Sequence, residues 1–344
     1  MKKTTEKQRK NITKAASIGL GVLMICASLA AVPKAVSMIP DISGGFGFSP
    51  VFERDEPSFA PVIESEETSF EESTDEPPKE AGEGDLFVTA GNLCWYGVDE
   101  EADIFIINRT DYDVDPKDFL KKDYPIKTDS RGSEPTVLII HTHGSESYLE
   151  NGVDFYSADE TFRSQDEAKT VVHIGDVLCK RLNESGIFAV HDRTMYDTID
   201  FNKSYSFSKS GAEEYLEKYP TIQYIIDLHR DSVFDSKGRN VKPITSFFGE
   251  DCAQIMLVVG TDGGGNGHAN WRDNFTFAVY LEEKLNERFP TLARPINLRT
   301  AAFNQMLTKG SVILECGSCG NTVEEAERAV LHFADAFAEL VKSH

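Results

Sequence analysis

The 344-residue chain is too long for one typical domain and too short for three. It carries 57 Asp and Glu against 35 Lys and Arg, a formal net charge of −22. That balance argues against nucleic acid, whose binding rests on cations that neutralise phosphates, and, beyond the first residues, against wide contact with anionic lipid head groups.

In chain order, a basic flank comes first, with Lys2, Lys3, Lys7, Arg9, Lys10 and Lys14 in residues 1–14. An apolar run over residues 15–32 follows, about the length that crosses a bilayer as a helix. The flank sets the orientation, cytoplasmic side first, with everything after the run outside. A cleaved signal peptide, with small residues between Ala31 and Ala35 as its processing site, is the competing reading; the length of the run favours an uncleaved anchor.

Residues 33–85 form an acidic linker rich in Glu, Ser, Pro and Gly. Its apolar residues, such as Phe59 and Phe70, are too sparse for a core, so a disordered tether is expected. Order returns in residues 86–135, with Ile104, Ile106 and Ile107, as an N-terminal extension packed on the domain that follows.

Residues 136–344 alternate between strand and helix patterns. Val137–Ile140 reads as a buried strand that ends in His141-Thr142-His143. Val171, Val172, Ile174, Leu178 and Leu182 mark a helix, opened by Asp166 and Glu167 and closed near Gly186. Further strands are expected at Ile187–Val190, at Tyr224–Leu228 before His229, at Ile255–Val259, and at Val312–Leu314 before Glu315. Helices are expected over Gly211–Tyr219 and Phe275–Phe289, and Thr322 with Glu325 makes a capping box for the last one. The pattern implies an α/β fold with a doubly wound, mainly parallel sheet flanked by helices.

Ligand sites on such sheets lie beyond the carboxyl ends of the strands. His141, His143, His229 and Glu315 all fall there. A hydrolytic zinc takes three protein ligands from His, Asp and Glu and keeps one position for water, while a nearby carboxylate shuttles the proton. Which of His141 and His143 serves, and whether Asp166, Glu167 or Glu146 completes the set, stays open at this level. His173, His191, His332 and His344 read as surface or structural histidines.

The run from Gly260 to His268 lacks a terminal Gly-Lys-Ser/Thr and does not spell GxGxxG, so it reads as a cleft wall. It would offer His268, Asn270 and Trp271 to substrate. No serine is framed as GxSxG. Of six cysteines, only Cys316 and Cys319 form a CxxC pair; with no second pair for a structural zinc, they read as packed small residues open to oxidation outside the cell.

Several segments together resemble the stage II sporulation protein P family over about Thr136 to Val341. They are Ile139-Ile-His-Thr-His-Gly-Ser-Glu-Ser-Tyr148, Asp227-Leu-His-Arg-Asp-Ser232, Val258-Val-Gly-Thr-Asp262 with Gly267-His-Ala-Asn-Trp-Arg272, Ala293-Arg-Pro-Ile-Asn-Leu298, and Ile313-Leu-Glu-Cys-Gly-Ser318 with Asn321-Thr-Val-Glu-Glu325. The resemblance implies a zinc-dependent N-acetylmuramoyl-L-alanine amidase with endopeptidase activity on stem-peptide cross-links. It would act on peptidoglycan during sporulation engulfment, beside stage II sporulation proteins D and M. It would sit in the cell membrane with its catalytic domain in the septal space. Carried over by motif, His143 and His229 fall at zinc ligands, Asp166 near the helix-opening acidic ligand, and Glu315 at the catalytic carboxylate. Glu146 and Arg230, within the same motifs, are expected at the substrate. The chain departs from the family in having two histidines after the first strand, an Asp-Glu pair at the helix start, and cysteines at 316 and 319. The alternative function is a membrane-tethered, non-catalytic peptidoglycan-binding scaffold, for which loss of Glu315 or of the histidines would be expected; all are present.

Overall fold

A computed structural model describes residues 79–95, 104–127, 132–265 and 267–344. The basic flank, the expected anchor at residues 15–32 and nearly all of the linker lie outside the described residues. Among the described residues no helix is long and apolar enough to cross a membrane.

The elements in chain order are β1 (Leu86–Phe87), β2 (Thr89–Gly91), β3 (Ile106–Asn108), α1 (Pro116–Leu120), β4 (Val137–Ile140), β5 (Phe155–Tyr156), α2 (Val171–Glu184), β6 (Ala189–His191), α3 (Tyr196–Ile199), α4 (Ser204–Lys218), β7 (Tyr224–Asp231), β8 (Val241–Phe247), β9 (Glu250–Ala253), β10 (Ile255–Gly260), α5 (Trp271–Arg288), β11 (Ile296–Arg299), β12 (Gly310–Ser318) and α6 (Val323–Ser343). Seven strands form one sheet in the order β3-β11-β10-β12-β7-β4-β6. Every pairing is parallel except β10 with β12. The unbroken apolar runs of β4 and β10 are buried throughout, as strands covered on both faces must be.

The two faces are covered unequally. Alternate residues of the strands (Val137 and Ile139, Ile226 and Leu228, Leu314 and Cys316) point into a large core with Ile174 and Leu178 of α2, Phe275 of α5 and Phe333 of α6. Their neighbours point the other way, into a smaller cluster with Ala212 of α4 and, over β10 and β12, a third with Phe303. α2 is capped by Thr170, and α6 opens on the expected capping box of Thr322 and Glu325.

Two features go beyond the sequence pattern. The extension does more than pack on the domain, because β3 adds a parallel edge strand beside β11, and Phe119 and Ile126 enter the core. β8 and β9 form a hairpin that pairs with β2 in a separate three-stranded sheet. Cys316 and Cys319 are buried and unbridged; one sulfur donates to the Ala326 carbonyl and the other to Asn240 Oδ1.

α2 and α6 are tied on their outer side by His173 and Glu327, 2.5 Å apart and each about one-third exposed. The hydrogen bond to Glu327 raises the His173 pKa against partial burial. The stabilisation is therefore present below the unfolded histidine value of about 6.5 and lost as pH rises through the raised folded value. His173→Gln should destabilise more at pH 5.5 than at pH 8.5, by up to about 1 kcal/mol for so exposed a pair. Urea unfolding of both proteins at the two pH values checks it; an equal loss at both removes the pair from the stability of the fold.

Candidate metal centre

Because β4, β7 and β12 are mutually parallel, their carboxyl ends share one edge of the sheet. β7 carries Asp227, His229 and Asp231 on the thinly covered face, since Ile226 and Leu228 take the core face. Just past β4 the chain turns, with the Glu146 amide bonded to the His143 carbonyl, and both side chains come back over β7. His143 Nδ1 lies 3.5 Å from Glu146 Oε1, and His229 Nδ1 lies 3.3 Å from Glu146 Oε2. One donor atom from each of His143, Glu146 and His229 falls within 4.8 Å of the others. Donors around a tetrahedral ion with bonds of about 2.0–2.2 Å stand roughly 3.3–3.6 Å apart, and each histidine stands at such a distance from one of the two Glu146 oxygens.

Surrounding groups fix the trio. Asp227 Oδ1 lies 2.9 Å from His229 Nε2, which leaves Nδ1 to face Glu146. Asp227 is itself held by the amide and hydroxyl of Thr142. A carboxylate on the far nitrogen is the usual way a protein sets the tautomer of a ligating histidine. His143 stacks flat on Phe201, with centroids 5.1 Å apart and planes 12° apart. Glu146 also accepts from the Arg230 amide and from Arg163, whose guanidinium is anchored on Asp197.

The charges support one another. Burial works against the His229 imidazolium, but Asp227 and Glu146 outweigh it and raise its pKa well above the ordinary range. Burial likewise opposes the charge of Glu146, yet the two histidines and Arg230 hold its carboxyl well below the ordinary range.

Glu315 pairs in register with His229 on the adjacent strand and shares its face. The residue is half-buried, but its Oε2 atom is enclosed and has no hydrogen-bond partner among the described residues. Burial, with Asp231 and Glu146 nearby, pushes the carboxyl up to about 8, against the pull of His229 and Arg294. A carboxyl pushed up in this way, beside a trio with the donor set of a metal site, suits proton transfer.

Residues 55–338 match the family described as Stage II sporulation protein P. The chain belongs to this family. Stage II sporulation protein P of Bacillus subtilis (strain 168) is 29% identical over 235 residues, which cover 65% of this chain and 55% of that protein. The chain thus spans about half the length of that relative. Among solved structures, it is similar to the CwlD amidase of Clostridioides difficile, solved in complex with the GerS lipoprotein, at 11% identity and a TM-score of 0.38 over 61% of this chain and 100% of that one. It is also similar to the N-acetylmuramoyl-L-alanine amidase AmiC2 of Nostoc punctiforme, at 14% identity and a TM-score of 0.33 over 62% and 97%.

Of the residues marked from sequence and from the family motifs, the structure brings His143, Glu146, His229 and Glu315 together. Glu146, expected at the substrate, stands between the two histidines. His141, expected as a ligand, is turned away, because strand alternation puts it with Ile139 on the core face. Its Nδ1 meets the Leu228 carbonyl at 2.9 Å and its Nε2 meets His191 Nε2 at 2.6 Å. Burial, with His191 beside it, pushes its pKa down to about 3. A Cβ at Gly175 would fall 2.6 Å from that ring, so α2 can approach only as glycine there.

Asp166, also expected as a ligand, is exposed and caps the short turn Glu167–Lys169. Glu167 pairs with Arg193. Arg230 spends its guanidinium on the Ser147 and Phe162 carbonyls and the Ser232 hydroxyl, so it braces loops instead of facing substrate. His268, Asn270 and Trp271 sit at the opposite edge of the sheet. β10 runs antiparallel to β12, and its carboxyl end lies beside Ser311 at the start of β12. His268 is buried against Asn274, Asn270 bonds the Thr308 carbonyl, and Trp271 is buried against Tyr112.

Asp227 was missed, although its place two residues before His229 on one strand puts it on the same face. Asp231, two residues after His229, carries the same signal; Arg163, Asp197 and Arg294 left none comparable.

The two strand-end histidines can be told apart directly. The full-length protein with His229→Ala or His143→Ala should lose most of its bound metal, since an incomplete donor set binds weakly. His141→Gln should keep it while lowering the melting temperature. Elemental analysis after dialysis reads the result; metal loss in His141→Gln comparable to that in His229→Ala would reverse the assignment.

Proposed function

We propose that this chain is a zinc-dependent peptidoglycan hydrolase of sporulation that cleaves the amide between N-acetylmuramic acid and L-alanine, with stem-peptide cross-links as a further target. The observation that carries the reading is the His143–Glu146–His229 trio, with Glu146 and His229 buried and Asp227 behind His229, and Glu315 on the same face and edge of the sheet.

His143, Glu146 and His229 would hold the zinc. Bound there, it would supply Lewis acidity and lower the pKa of a water molecule. Asp227, 2.9 Å from His229 Nε2, holds that side of the ring by charge while Nδ1 faces Glu146. Phe201 and Glu146 fix the ring of His143. Glu315 takes the proton of the attacking water and delivers it to the departing amine of L-alanine. Burial and the neighbouring carboxylates raise its pKa, which favours its holding a proton for the departing amine.

Anchorage by residues 15–32 outside the cytoplasm, reach along the acidic tether, and work beside stage II sporulation proteins D and M complete the proposal. Family membership supports this part of it.

Glu315→Gln keeps size and hydrogen bonding but cannot carry the proton. Hydrolysis of purified cell wall by the full-length variant in detergent should fall about 10²–10⁴-fold, with melting temperature and zinc content unchanged. Mass spectrometry of the wild-type digest should show new L-alanine amino termini. Near-normal turnover in a stable Glu315→Gln protein removes Glu315 from the reaction, and a digest without those termini rejects the bond assigned.

A further inference from the structure

The ligand-site rule directs attention to strand carboxyl ends, but three of the seven strands of this sheet run the other way. β10 and β11 are antiparallel to β12, so their amino ends reach the edge where Glu315 sits. Met256, the second residue of β10, pairs with Glu315 itself. Arg294, just before β11, donates its amide to the Ile255 carbonyl and so stands at this edge. It lies in the Ala293–Leu298 motif, for which the trio and Glu315 give no use.

Arg294 is 4% exposed. Its Nη1 donates to Asp231 Oδ2 at 2.9 Å. Its Nε and Nη2 are enclosed and have no acceptor among the described residues. Those two nitrogens carry the parallel N–H bonds along one side of the guanidinium plane, the side that grips two oxygens at once. If Arg294 served only to hold Asp231, a single donor would suffice, and a lysine could supply it. Here the forked side is left over at the sheet edge that also carries Glu315, whose Oε2 is likewise enclosed and unpartnered. Buried polar atoms nearly always have partners, so an exception beside a candidate site calls for an explanation.

We propose that Arg294 is a substrate-binding residue that takes a carboxylate on the peptide side of the scissile amide through its Nε and Nη2 donors. This rests on the hydrolase reading above. The peptide side follows from chemistry: the N-acetylated sugars next to that amide are neutral. The second stem residue, joined onward through its side chain, leaves its α-carboxylate free. Asp231, paired to Nη1, holds the guanidinium in place.

The test uses two muramoyl tripeptides that differ only in a carboxylate or a carboxamide at that α-carbon. Their binding to full-length protein in detergent is measured by calorimetry with chelator present, so that no hydrolysis intervenes, and their hydrolysis by zinc-loaded protein is followed in parallel. Wild type should bind the acid about 10–100-fold more tightly than the amide, the range for a charge-assisted pair. Arg294→Gln should bind both at the level of the amide. Arg294→Lys, which keeps the charge but not the fork and serves if Arg294→Gln does not fold, should lose most of the preference. Equal binding of the two by wild type, binding of neither, or a full preference in either folded variant overturns the assignment. Preference without hydrolysis would strike the proposed reaction and leave the Arg294 site standing.

Discussion

The buried charge of Asp227, 2.9 Å from His229 Nε2, is the constraint around which the centre is arranged. Its carboxylate touches His229 Nε2 and is gripped by Thr142 at the end of the neighbouring strand. The contact thus locks the ring and the strand ends together. Glu146 then closes the gap between His229 and His143. Removing Asp227 would take away the charge facing His229 Nε2 and the acceptor of the Thr142 amide at once, so one buried carboxylate ties two strand ends to the centre.

The unequal covering of the sheet explains why the centre forms on one face only. Three helices (α2, α5 and α6) seal the other face with a continuous apolar core. The opposite face is covered by α4 and the segment around Phe303, and their smaller clusters end before His229 and Glu315. Polar side chains that would be costly among the phenylalanines of the first face can thus collect at the second. They balance one another there through ion pairs and hydrogen bonds. His141 is the exception on the sealed face. It is tolerated because both ring nitrogens are partnered and its pKa is driven down, so that no charge is buried.

The reversal between β12 and β10 decides which loops meet the centre. It carries the glycine-rich loop and the residues after it to the far edge, where His268 and Trp271 become core. In exchange it brings strand beginnings, with Arg294, to the near edge. The direction of a single strand therefore takes a loop that reads as a cleft wall away from the centre and brings Arg294 to its edge.

The sequence by itself determined the strand–helix alternation, the buried runs of β4 and β10, the capping box of α6 and the edge on which His143, His229 and Glu315 meet. Those follow from local periodicity and from the rule for parallel strands. Parity along a strand also held information: Asp227 and His229 share a face, whereas His141 goes with Ile139. Only tertiary structure decided that Glu146, and not Asp166, stands between the histidines. A carboxylate three residues from a histidine and one at a helix start look alike until the chain's path past β4 is fixed. The same holds for the β8–β9 hairpin, the pairing of β3 with β11 and the place of Arg294. Each depends on contacts between residues far apart in the chain, and strand direction, which no local pattern encodes, sets those contacts.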